Sequence, residues 1–352
     1  TKPLFEVKPV DRAFYEERLR GFLPDRLVDV HSHVWLERFR CRKSDPAIRA
    51  VTWPGRVATD NSIEDLIETY ELLFPGKTVN PLMFSNVLSR QDQIHAANRY
   101  VATCARKRGL PALIFAVPEW SAEEFERRIV AGGFVGAKVY LSFAPHDLRE
   151  DEIRIFDFIP HYQFEVLDRH GWILMLHIPR PGRLKDPVNL RQLLEIEERY
   201  RHARVIVAHV GRAYCPEDVG DALKTLGGTR RLSFDFAANT NADVFYQAIQ
   251  AVGPRRIVFG SDLPITRMRM RRICEGGRYV NLVPKGLYGD LSGDRNMREA
   301  SAREAERLTL FLYEEIDAFR RAAEKARLKK ADIEDVFCRN AERMIAAASA
   351  KR

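Results

Sequence analysis

Short apolar runs alternate with helix-like stretches along most of this chain, and no other feature restricts its fold as much. The runs are rich in Val, Ile and Leu, and they cover residues 26–31, 81–85, 112–117, 135–141, 172–178, 204–208, 232–236 and 256–260. Runs of this kind are typical of parallel strands that are buried on both faces. Between them, apolar residues recur with helical spacing over residues 64–73, 91–108, 122–131, 156–169, 190–199 and 244–252.

Eight strand–helix units in series favour one architecture. Alternating strands and helices indicate parallel βα units, and eight of them favour a closed (β/α)8 TIM barrel over an open doubly wound sheet. We therefore predict a single domain over residues 1–352, with the barrel at about 26–346. An N-terminal arm carries a helix near 11–20, and polar insertions at 37–61 and 264–298 follow the first and last strands. Extra C-terminal helices include a long one over 300–329, which we expect outside the barrel.

Composition narrows the functional classes. Hydrophobic residues make up 45% of the chain and charged residues 30%, which is ordinary for a soluble globular protein. The net charge of +8 is spread over segments of mixed sign and accompanies no recognition motif, so we expect no nucleic-acid partner. No apolar run reaches the roughly 18 residues that a membrane span needs.

The termini and cysteines predict a location. The first residues lack the pattern of a signal peptide. Five cysteines are dispersed without paired spacing, which favours reduced thiols over a disulfide framework. We therefore expect a cytoplasmic protein.

Residues of metal-binding type stand at the ends of several predicted strands. They are His31, His33, His177, His209 and Asp262. The carboxyl ends of barrel strands converge on one mouth, so these five side chains can meet. His31 and His33 are two apart on a strand and point the same way. A pair of imidazoles suits zinc, and also manganese, iron or nickel.

Each of these residues also has an ordinary structural interpretation. A His-x-His pair can arise by chance, and a histidine that ends an apolar run is usually a satisfied core or loop residue. Asp262 alone could cap a helix. The coincidence at the ends of the first, fifth, sixth and eighth strands is what favours a metal site.

Several motifs together resemble a known family. They are Val28-Asp29-Val30-His31-Ser32-His33, Gly136-Ala137-Lys138, Met175-Leu176-His177, Val207-Ala208-His209-Val210-Gly211, Phe259-Gly260-Ser261-Asp262-Leu263-Pro264 and Asn340-Ala341-Glu342-Arg343-Met344. In this order, over residues 26–346, the sequence resembles the amidohydrolase superfamily, in its amidohydrolase-related (amidohydrolase 2) branch. These motifs are specific for the superfamily and carry little information about the substrate.

The resemblance implies roles for the residues at the strand ends. His31, His33, His177 and Asp262 would bind one divalent metal, most often zinc, with manganese as an alternative. Asp262 would also accept a proton from the attacking water, and His209 would orient or polarise the substrate. These two residues are the expected catalytic groups.

Lys138 and nearby residues are candidates for substrate binding. In binuclear relatives a carbamylated lysine at the position of Lys138 bridges two metals; otherwise Lys138 would be an ammonium near the substrate, or a structural lysine paired with a buried carboxylate. Several arginines follow strand ends, and guanidinium groups pair well with carboxylates. We expect Arg180, Arg212 and Tyr140 to contact a small anionic substrate together with Lys138.

The first functional hypothesis is a metal-dependent hydrolase of a lactone or amide-like carbonyl. The alternatives are a metal-dependent, non-oxidative decarboxylase of an aromatic or unsaturated acid, and a non-catalytic barrel that binds a ligand. The long C-terminal helix could support a homodimer.

Overall fold

Eight parallel strands form the centre of the molecule. The structure is a computed structural model that describes residues 3–41 and 56–350. The central strands are β1 (Arg26–His33), β2 (Thr78–Phe84), β3 (Ile114–Phe115), β4 (Gly136–Lys138), β5 (Ile173–Leu176), β6 (Arg204–Val207), β7 (Ser233–Asp235) and β8 (Ile257–Val258). Each predicted strand contains or overlaps one of them, so the prediction of eight strands is confirmed.

Backbone hydrogen bonds close these strands into a barrel. β1 pairs with β2, and β3 to β8 form one six-stranded sheet in chain order. Across the first gap between these sheets, Leu113 N donates to Met83 O at 3.0 Å. Across the second, Val30 N donates to Phe259 O at 3.0 Å. The strands therefore encircle the core, and the open doubly wound sheet is excluded.

Helices surround the barrel. They are α1 (Pro9–Phe14), α2 (Ile63–Leu73), α3 (Ile94–Arg108), α4 (Ala122–Gly132), α5 (His161–His170), α6 (Pro187–Arg199), α7 (His209–Arg212), α8 (Ala222–Leu226), α9 (Ala242–Val252), α10 (Ala302–Ala305), α11 (Phe311–Lys325), α12 (Lys330–Glu334) and α13 (Asn340–Ser349). Side-chain caps start several of them; Ser62, for example, accepts from Asp65 N at 3.0 Å. In the described parts of the chain, no helix has both the length and the apolar character to cross a bilayer.

The C-terminal helices cover the end of the barrel where the strands begin. At the start of β8, Asn340 Nδ2 of α13 donates to Pro254 O and to Ile257 O, both at 2.8 Å. Ala341 of α13 is fully buried in a cluster with the barrel residues Val28 and Ile206. Only the opposite end, where the strands finish, is left for a functional site.

The single long helix expected over residues 300–329 is wrong. The chain leaves the helical path after α10, and Thr309 O accepts from Met270 N at 3.0 Å in an extended stretch. α11 then packs on the barrel, where Phe319 stacks on Phe236 at 4.4 Å between ring centroids. Burial of this apolar face places α11 in the helical ring, not outside it.

The insertion after β8 folds into a small sheet that was not predicted from the sequence. β9 (Arg271–Glu275) runs antiparallel to β10 (Arg278–Val283), and β11 (Met297–Glu299) pairs with β10. Gly276 and Gly277 form the turn with φ of 56° and 73°, which favours glycine. That Gly-Gly pair is the sequence feature that could have indicated the β9–β10 hairpin. In the insertion after β1, residues 42–55, including Trp53-Pro54-Gly55, lie outside the described residues.

A disulfide joins this small sheet to the loop after β6. Cys215 and Cys274 are bonded, whereas Cys41, Cys104 and Cys338 are free thiols. The expectation of reduced cysteines throughout is therefore wrong. The partners are 59 residues apart in sequence, so only the tertiary fold brings them together.

We expect thiol titration of the denatured, unreduced protein to give three thiols, rising to five after reduction. Reduction should lower the free energy of unfolding by about 2–4 kcal/mol, because it releases a long closed loop in the unfolded chain. Denaturant unfolding with and without reductant measures this. The double variant Cys215→Ser/Cys274→Ser is the control and should not respond to reductant; five thiols before reduction would contradict the disulfide.

Candidate metal centre and active-site cavity

A cavity of about 390 Å³ opens at the carboxyl ends of the barrel strands. All five histidine and aspartate residues that were singled out in the sequence line it: His31, His33, His177, His209 and Asp262. They come from the ends of β1, β5, β6 and β8. The convergence expected from the barrel topology is therefore present, at the end of the barrel that the C-terminal helices leave open.

Three of these side chains form a compact cluster. His33 Nε2 lies 3.1 Å from Asp262 Oδ1, and His31 Nε2 lies 3.6 Å from the same oxygen. Ligand atoms of the three residues all lie within 4.8 Å of one another. Burial lowers the pKa of His31 well below its ordinary value, so the ring is neutral. Burial opposes ionisation of Asp262, but its hydrogen bond with His33 helps to hold the pKa of that carboxyl below its usual range.

Asp235, at the end of β7, contacts the ring of His31 and the backbone of His209. Its Oδ2 lies 2.9 Å from His31 Nδ1, and its Oδ1 accepts from His209 N at 2.8 Å. An ionised carboxylate only accepts, so the proton of His31 resides on Nδ1 and the Nε2 lone pair faces Asp262. His209 Nδ1 is 2.8 Å from Ala237 O and must donate to it, which leaves its Nε2 as an acceptor.

His177 stands slightly apart from the cluster. Its ring is 5.1 Å from the ring of His209 and 4.9 Å from that of Tyr140. Two groups of described residues bring potential ligand atoms within 4.8 Å of one another, and His177 belongs to neither: His31, His33 and Asp262, and His31, His209 and Asp235. Burial lowers its pKa well below the ordinary value. The predicted ligand set is thus brought to one cavity as three close residues and a fourth nearby.

The backbone around the cavity is strained. Most described non-glycine residues with positive φ lie in the segments that follow β5 to β8: Arg183, His209, Val210, Arg212, Ala238 and Asp262, with φ between 48° and 59°. Each such residue costs of the order of 1–3 kcal/mol. Strain of this kind concentrates at functional sites because it aims side chains into the cavity.

Gly260 explains part of the motif after β8. A Cβ atom at this position would lie 2.7 Å from His31 Cβ and 3.3 Å from Asp235 Cβ. Any larger residue would push β8 away from β1 and separate the cluster. Close approach of these strands therefore requires glycine.

Asp29 joins the segments that carry His31 and Asp262, a role that was not predicted from the sequence. The fully buried carboxylate accepts from His31 N at 3.0 Å, Ser261 N at 2.9 Å and the Tyr70 hydroxyl at 2.7 Å. Burial raises the pKa of Asp29 to about 6, against the opposing effect of these donors. Asp29 therefore ties β1 to the residue that precedes Asp262.

Lys138 and Tyr140 also line the cavity. Lys138 is buried, its Nζ is 5.2 Å from the centre of the Phe84 ring, and burial lowers its pKa to about 8. In the described part of the chain, no carboxylate oxygen lies within 4.0 Å of this ammonium. This position does not fit a structural lysine in a direct ion pair.

The arginines divide into two groups. Arg212 lines the cavity, whereas Arg180 does not: its guanidinium donates to the carbonyls of Ile153 and Glu152, both at 3.0 Å. Arg180 is therefore directed to loop carbonyls and not to the cavity wall, and its contact with substrate stays a prediction. Lining residues that the sequence reading did not select for substrate binding are Arg183, Tyr214, Arg272 and Tyr279. Arg183 and Arg272 were among the arginines that follow strand ends, but sequence spacing did not distinguish them from the others. It gave no signal for Tyr214 and Tyr279, since these come from a loop and from the inserted sheet.

A family model for amidohydrolases matches residues 28–346. The chain belongs to the amidohydrolase family. The match overlaps every strand of the barrel and includes the whole cluster, and it confirms the resemblance inferred from the motifs. It also places the chain in a family of enzymes, as expected. No curated protein matches the chain.

Solved structures share the amidohydrolase fold with this chain. An amidohydrolase from Burkholderia multivorans is 13% identical, with a TM-score of 0.56 over 91% of this chain and 99% of its own. A 2,6-dihydroxybenzoate decarboxylase, complexed with 2,6-dihydroxybenzoate, is 14% identical, with a TM-score of 0.53 over 92% and 99%. A protein assigned as a 2-pyrone-4,6-dicarboxylic acid hydrolase from Acinetobacter baumannii, with citric acid bound, is 14% identical, with a TM-score of 0.51 over 91% and 99%. At these identities the likeness concerns the fold.

Proposed function

We propose that this amidohydrolase is a metal-dependent hydrolase that adds water to a lactone or amide-like carbonyl of a small, carboxylate-bearing substrate. The observation that carries the proposal is the meeting of His31, His33 and Asp262 at one point of a cavity that guanidinium groups also line. Imidazole and carboxylate are the donors of catalytic metal sites, and the cations match an anionic substrate.

The residues present fit a divalent metal. We propose that His31, His33, His177 and Asp262 hold one ion, with zinc the first choice and manganese the alternative. Two observations support the fit: Asp235 leaves the Nε2 lone pair of His31 available, and buried ring nitrogens of His33 and His177 have no hydrogen-bond partner among the described residues. When bound, such an ion supplies a Lewis acid that polarises a carbonyl and lowers the pKa of water to about 7.

Asp262 and His209 are the residues of this chain that we propose as proton acceptors. Asp262 is an ionised carboxylate at the cluster, and it is positioned to accept a proton from the attacking water. His209 presents an unprotonated Nε2 because Ala237 O engages its Nδ1. His209 therefore suits a proton acceptor better than the predicted polarising donor, a role that requires a proton on Nε2.

Lys138, Arg212 and Tyr140 are proposed to bind the substrate. Lys138 has no carboxylate partner within 4.0 Å in the described chain, and Arg212 engages only the carbonyls of Ile178 and Pro179. A substrate carboxylate would supply the missing counter-charge. We propose one metal, with Lys138 as an ammonium; a second metal would require its carbamylation.

A decarboxylase remains the second candidate, and one observation favours it. Apolar side chains also line the cavity, at Val87, Leu88, Phe115 and Ile265. Removing water from a carboxylate destabilises its charged ground state, which helps loss of carbon dioxide. A 2,6-dihydroxybenzoate decarboxylase shares the fold of this chain.

Metal analysis tests the proposal first. We expect about one zinc or manganese per chain after reconstitution, and loss of the ion in His31→Ala and His177→Ala. His202→Ala, in an exposed turn, is the matched control and should retain the ion. Absence of metal from the reconstituted wild type would refute a metal-dependent function.

A substrate panel then separates the two reactions. Lactones such as 2-pyrone-4,6-dicarboxylic acid and acids such as 2,6-dihydroxybenzoate are incubated with the metal-loaded enzyme. Ring opening without gas supports the hydrolase. Release of carbon dioxide supports the decarboxylase and rejects the hydrolase.

Asp235→Asn is expected to lower metal affinity by about 10- to 100-fold, because the amide no longer holds the His31 ring as a carboxylate does. Competition with a chromogenic chelator measures the affinity. The exposed Asp243 of α9 provides the control Asp243→Asn, which should bind metal as the wild type does. Equal affinity of all three proteins would show that Asp235 does not support the site.

A further inference from the structure

We propose that Arg272 determines substrate specificity by binding a second acidic group, so that the cavity accepts a small dicarboxylate in preference to a monocarboxylate. The inference rests on the proposed function only for the reacting end of the substrate. Of the four arginines at 267, 269, 271 and 272, which follow β8, Arg272 is the one that lines the cavity.

The guanidinium of Arg272 is fixed without a carboxylate. Its Nε donates to Asn281 Oδ1 at 2.8 Å, and one terminal nitrogen donates to Ala238 O at 2.5 Å. Within residues 3–41 and 56–350, no carboxylate oxygen lies within 4.0 Å of it. Arginine has five N–H donors, so further donors remain for a ligand in the cavity.

Three aromatic rings hold this cation in place. The central carbon of the guanidinium is 4.4 Å from the ring centre of Tyr279, 4.6 Å from that of Phe311 and 4.8 Å from that of Tyr214. The rings cover part of the guanidinium of this half-buried residue, and burial lowers its pKa. A partly desolvated cation without a counter-ion is costly, and a bound carboxylate offsets that cost.

The other arginines in the cavity differ in their partners. Arg183 is neutralised by Asp218, which lies 2.6 Å away. Arg212 resembles Arg272, since backbone carbonyls bind part of its guanidinium and no described carboxylate pairs with it. Two guanidinium groups in one cavity, those of Arg212 and Arg272, therefore have no carboxylate partner among the described residues. This arrangement matches a ligand with two acidic groups.

The disulfide joins the two segments that carry Arg272 and Tyr214. Cys274 is two residues beyond Arg272 on β9, and Cys215 directly follows Tyr214. Arg272 and one of the three rings around it are thus linked covalently through neighbouring residues. Such preorganisation lowers the entropic cost of fixing a ligand.

Calorimetric binding to the zinc-loaded full chain tests the proposal, with isophthalate as the dicarboxylate and benzoate as the monocarboxylate. We expect isophthalate to bind more tightly than benzoate. Arg272→Gln should weaken isophthalate binding by about 10- to 100-fold, the effect of losing a charged hydrogen bond, and should leave benzoate binding nearly unchanged. Arg272→Lys keeps the charge and still weakens isophthalate binding, because ammonium lacks the planar fork.

Arg271→Gln is the matched control, since this neighbour on β9 pairs with Glu314 and does not line the cavity. Equal binding of isophthalate by the wild type and both folded Arg272 variants, or an equal loss in Arg271→Gln, would overturn the proposal. Equal binding of isophthalate and benzoate by the wild type would also overturn it. Repeating the titration on chelator-treated protein separates the two proposals: binding that depends on Arg272 after the metal is removed would support this inference by itself, whereas only failure of the reconstituted wild type to hold metal would reject the metal-dependent function.

Discussion

Replacement of Asp262 by asparagine is expected to reduce kcat by about 10²- to 10⁴-fold, the usual contribution of a positioned general base. The amide keeps the shape of the side chain and one oxygen near His33, but it cannot accept a proton. The rate is measured with the substrate that the panel identifies, and metal content is determined on the same preparation. This comparison distinguishes a lost base from a lost ion.

Two controls define the result for Asp262. Asp243→Asn removes an exposed carboxylate on α9 and should keep the wild-type rate. Circular dichroism checks that Asp262→Asn is folded, since the residue sits at a φ of 58° that asparagine also tolerates. A folded, metal-loaded Asp262→Asn enzyme with wild-type kcat would remove Asp262 from the mechanism.

The second large effect concerns stability. Asp11→Ala is expected to lower the free energy of unfolding by about 3–5 kcal/mol, because it leaves Arg269 buried without its partner. Both side chains are buried, and the Arg269 guanidinium contacts both carboxylate oxygens, at 2.8 Å and 2.5 Å. Thr309 Oγ1 donates to the same carboxylate at 2.7 Å. Asp11 thus connects the N-terminal arm, the insertion after β8 and the segment before α11.

Urea denaturation measures the loss. Glu275→Ala is the matched control, because it removes the ion pair with Arg298 on the surface of the inserted sheet and should hardly change stability. The double variant Asp11→Ala/Arg269→Met should recover part of the loss, since it removes the unpaired charge as well. If Asp11→Ala were as stable as Glu275→Ala, the buried pair would not hold the arm.

The ligand candidates were accessible from the sequence because they depend on local rules. A strand places residues two apart on one side, so His31 and His33 were expected together. Parallel barrel strands all finish at one end, so a histidine or aspartate after any strand points to the same mouth. Neither rule requires knowledge of how loops fold.

The arginines that line the cavity could not be predicted from the sequence in the same way. Arg180 and Arg212 are both close in sequence to histidines of the cavity, yet carbonyls at Glu152 and Ile153 hold Arg180 elsewhere. Arg272 enters the cavity because β9 and β10 pair, and that pairing depends on a turn at Gly276-Gly277. Closeness in sequence to a candidate metal ligand therefore does not predict which loop residues line the cavity.

The sequence by itself determined the barrel, the family and the end of the barrel where the candidate site lies, because hydrophobic period and strand order are properties of the linear chain. Only the tertiary structure decided which arginines face the cavity, that Cys215 and Cys274 meet, and that α11 joins the helical ring. Those outcomes depend on contacts between residues far apart in sequence, such as the 59 that separate the two cysteines. Packing and hydrogen bonds select such contacts, and no local pattern encodes them.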